Sequence, residues 1–431
     1  MNERITKLAD YIEKAVSPYH AVAETEKLFI NRGFKELKMS DNWGKLDRGQ
    51  GYYINVFGSA QVAFYVGDDF REGGQLKVVM AHTDSPGLKI KTMPRRENPD
   101  GSISLNTEVY GGPILNTWMD RPLSIAGRVM LKGENVFEPV TKLVDAKKSV
   151  ATIPNLAIHM NREVNKGVEL NKQIDLLPLV GGSLCDDNSK KGDKWLFDVL
   201  GVNEEDVISH DLYVYDNEKP RFIGIDDSML SAPRIDNLSS VWAGAEALCE
   251  ASVDGNMISV FAAWDNEEVG SQTKQGGDSE TFAVILEKIY LALGLTREEY
   301  LRSILSGVMI SADVAHAAHP NRTEKADITN KVFLNKGVAF KISGNQKYAT
   351  DAETLAIMES LCRDNDIQYQ RFLNRSDIPG GSTIGSLMSS HLPLRTLDLG
   401  IPMLAMHSAR ELSGVEDQEA MYKLMKVFFE V

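Results

Sequence analysis

The sequence predicts an α/β fold interrupted by a mostly β domain. In the second half, apolar runs such as "MISVFAAW" alternate with helical patterns such as "NLSSVWAGAEALCEA", as in an α/β sheet. The run "QLKVVMAHTDSPG" ends in polar residues, as a buried central strand does. Between residues 94 and about 225, short strand-like runs and turn signals predict an insertion. We therefore expect a discontinuous α/β domain, residues 1–93 and 231–431, around a β-rich domain, residues 94–230.

The first elements follow from local patterns. Apolar residues from Ile5 to Val16 recur at helical spacing, which predicts an amphipathic helix. A second helix should begin at Ser17-Pro18, where a capping serine precedes a proline. "GYYINVF" and "AQVAFYVG" predict a hairpin around Gly58. In the inserted domain we expect strands in "ISLNTEVY", "LSIAGRVML", "NVFEPVTKLV" and "VATIPNLAIHM", the polar loop "CDDNSKKGDKW", and a short helix near "WLFDVLGV".

The remaining elements alternate between the two types. Helices are predicted in "DSETFAVILEKIYLALG", "TLAIMESLCRDN", "STIGSLMSS" and "EDQEAMYKLMKVFFEV". Strands are predicted in "GVMISAD", "GVAFKIS", "LRTLDLG" and "IPMLAMH". No internal repeat or low-complexity segment interrupts this order.

Composition narrows the class of protein. With 431 residues, the chain should form about two or three domains. The net charge of -14 disfavours nucleic acid and anionic membrane as partners. Cys185, Cys249 and Cys362 are far apart and form no CxxC pair, which suits a reducing compartment and buried thiols. Because we find neither a signal-peptide core nor an apolar window of membrane length, we expect a cytoplasmic protein.

Polar residues follow several of the apolar runs. Such residues gather in space, because the carboxyl ends of parallel strands meet at one edge of a sheet. Two imidazoles with carboxylates and no thiolate suit zinc, or else manganese or cobalt. There are enough ligands for two ions sharing one carboxylate, an arrangement that activates water for hydrolysis. The residues concerned are His82, Asp84, Asp236, Glu267, Glu268, Asp313 and His407.

The adjacent Glu267 and Glu268 suggest a division of labour, in which one carboxylate binds metal and the other handles a proton. Asp84, two residues after His82, could fix the tautomer of that imidazole. Each residue alone also has an ordinary explanation: a solvated acidic loop, a structural histidine, a helix cap at Asp236, or an arginine partner for Asp313. Together they favour a metal, because a buried cluster of carboxylates costs several kcal/mol without a cation.

Several longer motifs carry a family resemblance. They are "AHTDSPGLKIK", "RIDNLSSVWAG", "DNEEVGSQTKQGG", "SADVAHAAHPN", "GGSTIG" and "LDLGIPMLAMHSARE". They resemble the aspartyl aminopeptidase family of dizinc aminopeptidases, from the first helices to the last. The resemblance implies a zinc-peptidase-type, three-layer catalytic domain with a central mixed sheet, interrupted by a β-rich dimerisation domain. It also implies a metal-dependent aminopeptidase that prefers peptides with N-terminal Asp or Glu.

Ligand roles are carried over by position within these motifs. The resemblance implies two divalent ions per subunit, most simply zinc. His82 and Asp313 would hold one ion, Glu268 and His407 the other, and Asp236 would bridge the two.

The same resemblance implies roles beyond the ligands. Glu267 would be the general base, and Asp84 would orient the ligand imidazole. His159, in "NLAIHMNR", would reach the active site of a neighbouring subunit in a homo-oligomer, a tetrahedral dodecamer built from dimers. Lys341, in "GVAFKIS", would lie at the substrate pocket and meet an acidic side chain. Without the resemblance, a histidine in an apolar strand and a lysine in a strand of alternating polarity would indicate no function.

Some features leave alternatives open. His316 and His319 follow Asp313 closely but are not zinc ligands in the family pattern, so we interpret them as pocket-wall or supporting groups. "PGGSTIG", from Pro379, lacks the lysine of a P-loop and is interpreted as a backbone wall of the pocket rather than a phosphate cradle. The alternative functions are a related carboxypeptidase or deacylase, an aminopeptidase preferring apolar residues, and a shell protein with a vestigial site.

Overall fold

The computed structural model describes residues 3–181 and 193–431. These residues fall into two compact units. Unit 1 comprises Met1–Asp84, Pro220–Met406 and Glu411–Val431. Unit 2 comprises Ser85–Lys219 and His407–Arg410.

The helices confirm most of the predicted pattern. They are α1 (Glu3–Lys14), α2 (Pro18–Asn31), α3 (Lys194–Val199), α4 (Ile235–Glu250), α5 (Thr281–Ala292), α6 (Arg297–Ser306), α7 (Ala352–Asp364), α8 (Ile384–His391) and α9 (Val415–Glu430). As predicted, the Ser17 hydroxyl caps α2 by accepting from the His20 N–H. Among the described helices, none has the length and apolar character that a bilayer span requires.

The strands form three sheets. They are β1 (Lys35–Glu36), β2 (Gln50–Val56), β3 (Ala60–Val66), β4 (Gln75–His82), β5 (Gly87–Glu97), β6 (Ile103–Tyr110), β7 (Leu123–Leu131), β8 (Val140–Asp145), β9 (Leu179–Gly181), β10 (Val207–Asp216), β11 (Arg221–Ile223), β12 (Met229–Ala232), β13 (Met257–Trp264), β14 (Val308–Ala312), β15 (Ala315–His316), β16 (Val338–Ile342), β17 (Tyr369–Leu373), β18 (Arg395–Gly400), β19 (Pro402–Leu404) and β20 (Glu411–Gly414).

Unit 1 is organised around a nine-stranded mixed sheet, in the order β1-β2-β3-β13-β4-β14-β18-β16-β17. At its centre, β4 is paired in parallel with β13 on one side and β14 on the other. The predicted hairpin around Gly58 is the antiparallel pair β2 and β3. A smaller sheet of unit 1 has the order β11-β12-β20-β19-β15.

Alternation along the central strands creates the layers. In β4, Val79 and Ala81 pack into one core, which includes side chains of α1, α2, α4, α7 and α9. Val78 and Met80 point to the opposite face and pack into a second core with α5, α6 and α8. Helices therefore cover both faces of the sheet, which confirms the predicted three-layer α/β fold.

Unit 2 contains a six-stranded antiparallel sheet in the order β8-β7-β10-β5-β6-β9. It confirms the β-rich character of the insertion, with a core of its own. Its main segment begins and ends earlier than the predicted range of residues 94–230. The strand β5 starts at Gly87 and pairs with β6 and β10, whereas β11 and β12 pair within a sheet of unit 1.

Several local predictions were wrong or incomplete. The run "VATIPNLAIHM" forms only isolated bridges at Ala151 and Thr152, because Pro154 interrupts it and residues 154–160 are exposed. Sequence patterns missed β10, α6 and β17. The polar loop "CDDNSKKGDKW" and Cys185 lie largely outside the described residues, whereas Cys249 and Cys362 are free and buried as expected.

Replacing Gly244 in α4 by alanine should lower the free energy of unfolding by about 1–2 kcal/mol. A Cβ there would lie 2.7 Å from the ring of Phe261. This overpacking should exceed the gain in helix propensity. Urea unfolding measures the change. Phe261→Leu should make room, so the glycine substitution should cost less in that background. Equal costs in both backgrounds would contradict the packing explanation.

Candidate metal centre

The parallel order of three strands brings their carboxyl ends together. His82 ends β4, and its register partner Trp264 ends β13. On the other side of β4, β14 ends at Ala312, directly before Asp313. Polar residues distant in sequence therefore emerge side by side at one edge of the sheet.

His82 is buried; its Nε2 faces two carboxylates, and its Nδ1 lies 3.5 Å from Asp84 Oδ1. Its Nε2 lies 3.4 Å from Asp236 Oδ1 and 3.6 Å from Asp313 Oδ1. Its Nδ1 lies 3.0 Å from the backbone oxygen of Asp84. Because a carbonyl can only accept, Nδ1 is the donor, and in the neutral ring Nε2 carries a lone pair. A lone pair and two carboxylates that face one another are the arrangement that a cation completes.

Asp236 is held at the irregular start of α4. Arg234, rather than Asp236, occupies the N-cap position, and the backbone at Asp236 is not helical. The Asp236 N–H donates to Glu411 Oε2 at 3.0 Å. The next residue, Asn237, donates from Nδ2 to the carbonyl of Ala312 at 2.7 Å. These bonds tie the start of α4 to β20 and β14, so the Asp236 carboxylate reaches His82.

The adjacent glutamates lie on a tight turn after β13. Asn266 adopts a left-handed conformation with φ of 64°, and a short 3-10 helix covers Glu267–Val269. The Asp84 carboxylate accepts from the N–H of Glu267 through Oδ1 and from the N–H of Glu268 through Oδ2, both at 3.1 Å. Ligand atoms of His82, Glu267 and Glu268 lie within 4.8 Å of one another. Both carboxylates thus face the imidazole.

Asp313 pairs with a buried lysine. Lys341 in β16 is 3 % exposed, and its Nζ lies 3.1 Å from Asp313 Oδ2. The other oxygen of Asp313 faces His82. Gly400 lets this strand end approach β18 closely, since a Cβ at that position would lie 1.8 Å from the Asp313 carbonyl oxygen. Lys341 therefore holds a candidate ligand directly.

Electrostatics in the cluster also favour a cation. Burial raises the pKa of Glu267 to about 8, and nearby carboxylates add to the effect. Burial and the Asp236 carboxylate raise the pKa of Glu268 well above its ordinary value. Burial opposes the charge on His82, but its carboxylate contacts raise its pKa well above the usual range. Clustered acids of this kind fit a divalent metal, which would replace their protons.

Asp313 and Lys341 stabilise each other's charge. Burial disfavours ionisation of both groups. The Lys341 ammonium nevertheless holds the pKa of Asp313 below its ordinary value. In turn, the Asp313 carboxylate raises the pKa of Lys341. Asp313 therefore stays ionised, as a metal ligand must.

The predicted histidines other than His82 make contacts of their own. His407 belongs to unit 2, where its Nδ1 lies 3.1 Å from the Gly112 carbonyl oxygen. His159 is exposed and lies in a turn of unit 2. His316 packs edge-on against Phe372, with ring centroids 6.0 Å apart. The Nδ1 of His319 accepts from the Asn321 N–H.

The glycine-rich segment "PGGSTIG" leads into α8. Thr383 is the N-cap residue of this helix. Its hydroxyl donates to Asp398 Oδ1, and Asp398 also accepts from the Ala349 N–H. The segment is thus anchored to the end of β18 by a fully buried carboxylate.

Sequence patterns missed two supporting interactions. Glu411, the last residue of a motif singled out above, positions the backbone of Asp236. The Asp84 carboxylate secures the glutamate turn, in addition to the contact of its backbone oxygen with His82. Neither contact can be predicted from composition or residue spacing, because both join residues far apart in the sequence.

A three-layer α/β unit with these carboxylates around a buried imidazole defines the class of metal-dependent hydrolases with the site at the sheet edge. Residues 11–429 match the profile of the family described as aminopeptidase I zinc metalloprotease (M18). The chain belongs to this M18 family and is a metallo-aminopeptidase. Family membership therefore decides against the carboxypeptidase and deacylase alternatives.

Individual relatives agree with this assignment. A probable M18 family aminopeptidase 2 from Clostridium novyi is 46% identical over 426 residues, covering 98% of each chain. A solved complex of Ape4 and Nbr1 contains a chain that matches with a TM-score of 0.94 and 31% identity, covering 99% of this chain and 85% of that one. The S. cerevisiae mApe1 dodecamer matches with a TM-score of 0.85 and 27% identity, covering 98% and 95%.

Replacing Asp84 by asparagine should weaken zinc affinity about 10- to 100-fold. The amide NH₂ would face a backbone N–H, so one of the two hydrogen bonds that hold the glutamate turn would be lost. Competition with a chromogenic chelator measures the affinity. Asp254→Asn, at an exposed position of the same unit, is the matched control. Equal affinity of the two variants would contradict the role of Asp84.

Proposed function

We propose that the enzyme removes the N-terminal residue from peptides, preferring Asp or Glu, with two zinc ions per subunit. The observation that carries the metal centre is the position of His82 Nε2 between the carboxylates of Asp236 and Asp313. The count of two ions rests on the resemblance of the motifs. The acidic preference rests on the resemblance of the motifs. Cobalt or manganese could replace zinc, because the donors are nitrogen and oxygen without thiolate.

The proposed ligand set uses residues from several strand ends. His82 and Asp313 hold one ion, Glu268 and His407 hold the other, and Asp236 bridges them. Support for the first set comes from ligand atoms of His82, Asp236 and Asp313, which lie within 4.8 Å of one another. Glu268 lies close to this set, because its carboxylate is within 4.8 Å of a His82 ring nitrogen. The assignment of His407 rests on the motif "PMLAMH".

Glu267 is the proposed general base. Bound metal would supply Lewis acidity, which polarises the scissile carbonyl and makes water easier to deprotonate. The Glu267 carboxylate accepts a proton from the attacking water and then passes it to the leaving amine. Its position is held through the backbone N–H that donates to Asp84. The carboxylates of the site would also receive the free amine of the substrate.

Lys341 is proposed to meet the acidic side chain of the substrate, in addition to its ion pair with Asp313. An ammonium next to a metal ligand would favour an anionic residue at the N-terminus of the peptide. An aminopeptidase preferring apolar residues is the alternative, and it would leave Lys341 with the ion pair alone.

We also propose that the enzyme acts as a homo-oligomer in the cytoplasm. Unit 2 would supply the dimer contacts, and His159 would reach the active site of a neighbouring subunit. A tetrahedral dodecamer built from dimers is supported by the motif resemblance and by a dodecameric relative. Three apolar side chains next to His159 are exposed in the single chain, Leu156, Ile158 and Met160, as expected of a surface that another subunit covers.

Glu267→Gln should lower kcat about 10²-fold or more while zinc content stays the same. The amide cannot accept the proton from water but fills nearly the same volume. Initial rates and metal analysis of the same preparation measure both properties. The conservative variant Glu267→Asp should recover part of the rate. Near-full activity of Glu267→Gln would rule out the general-base role.

A panel of aminoacyl chromogenic substrates tests the proposed specificity. Asp and Glu substrates should be cleaved fastest, and cleavage should stop on chelation and return with zinc. Preferential cleavage of Leu or Met substrates would keep the chemistry and overturn the acidic preference. No cleavage of any substrate, despite bound zinc, would support a vestigial site.

Lys341→Met should slow Asp and Glu substrates more than Leu and Met substrates, since it removes the ammonium proposed to meet the acidic side chain. The same panel supplies the rates, and zinc affinity is measured in parallel. Equal slowing of all substrates, with weakened zinc binding, would assign Lys341 to Asp313 alone.

A further inference from the structure

Unit 1 contains a cavity at the opposite edge of the nine-stranded sheet from the candidate metal centre. Its volume is about 890 Å³, within the usual range of small-molecule sites. It lies at the amino ends of β4, β14 and β18, beside α7 and α9. Residues that line it include Lys77, Val308, Ile357, Leu361, Arg395 and Phe428.

The cavity is separate from the metal centre. Lys77 and His82 lie on the same strand, five residues apart. At about 3.3 Å per residue, their Cα atoms are roughly 16 Å apart. A small molecule in this cavity would therefore not touch the ligands of the metal.

Lys77 is a buried cation without a counter-charge. Its side chain is 5 % exposed, and its Nζ has a sulfur contact with Met257 Sδ at 3.5 Å. In the described part of the chain, no carboxylate lies within ion-pair distance of this Nζ. Burial lowers the pKa of Lys77 to about 8. By contrast, the buried Lys341 has Asp313 as its partner.

The neighbouring cation is already engaged. Arg395 forms an ion pair with Glu353 at 3.2 Å, and its guanidinium also donates to the carbonyl of Ser306. Lys77 is therefore the cation of this wall that can still pair with an anion. Val308, Ile357, Leu361 and Phe428 form an apolar part of the wall. The cavity is also lined by Gln75, Ser306, Ser360 and the exposed Asp364.

We propose that this cavity binds a small aliphatic monocarboxylate, whose carboxylate pairs with the Lys77 ammonium while its chain lies against Ile357, Leu361 and Phe428. One unpaired ammonium matches one negative charge. A phosphate dianion carries twice the charge of a carboxylate, so Asp364 would repel it more strongly and a single ammonium would leave part of its charge unpaired. The apolar side chains provide the surface that an alkyl chain needs. The inference concerns a site apart from the metal centre and does not rest on the proposed substrate preference.

Isothermal titration of the full-length enzyme with sodium octanoate tests the proposal. Octanoate should bind, and affinity should fall about fourfold for each methylene removed along the series to butanoate. Lys77→Met should weaken octanoate binding about tenfold or more, because a charge-assisted hydrogen bond is lost. The neutral analogue octanamide should bind the unmodified enzyme about as weakly as octanoate binds Lys77→Met, because it carries no charge to pair with the ammonium. Lys423→Met, at an exposed lysine of α9, is the matched control and should bind normally.

Two further measurements distinguish loss of the site from loss of folding and from binding at the metal centre. Thermal unfolding should show Lys77→Met at least as stable as the unmodified enzyme, because methionine removes the cost of a buried charge. Octanoate binding should persist after zinc is removed with phenanthroline, and in Glu267→Gln. Binding that vanishes with the metal, that survives in Lys77→Met, or that is absent from the unmodified enzyme would overturn the proposal.

Discussion

Burying the carboxylates of Asp236 and Asp313 beside His82 Nε2 costs several kcal/mol unless a cation joins them. Several hydrogen bonds and an ion pair around the cluster stabilise these charges. Asp84 receives two backbone N–H groups, and Lys341 neutralises one side of Asp313. Hydrogen bonds from neighbouring strands hold the start of α4 in place. The centre is thus a set of anions whose positions are fixed before metal binds, so little reorganisation is needed on binding.

The order of the strands explains why these groups meet. In a parallel trio such as β13-β4-β14, the carboxyl ends lie at one edge. Helices on both faces exclude water from the strands, so a ligand can approach the residues at that edge only from beyond the strand ends. The opposite edge has the amino ends of the same strands. There, no carboxylate of the described residues lies within ion-pair distance of Lys77 Nζ, so this edge offers a cation where the other offers anions.

Sequence patterns predicted the α/β sheet, the β-rich insertion and the candidates His82, Glu267 and Asp313, because each candidate follows an apolar run of strand length. The three-layer arrangement was implied by the family resemblance. They did not reveal that the Asp84 carboxylate binds backbone N–H groups, since such bonds depend on tertiary contact alone. Nor did they reveal the ion pair of Lys341, which lies in an ordinary strand pattern. The boundaries of unit 2 were misplaced for a similar reason: strand pairing, rather than residue type, decides to which sheet β5 belongs.

The parallel order of β13, β4 and β14 also bears on when metal can bind during synthesis and folding of the chain. The proposed ligands include His82, Asp236, Glu268 and Asp313, which come from segments widely separated along the chain. No short peptide contains two of the strand ends that hold them, so the loop-closure entropy must be overcome by packing of the core. In zinc fingers, by contrast, the ligands are local and the ion drives folding. Here most of unit 1 must be synthesised before the proposed ligand set is complete, so metal would enter an already folded chain.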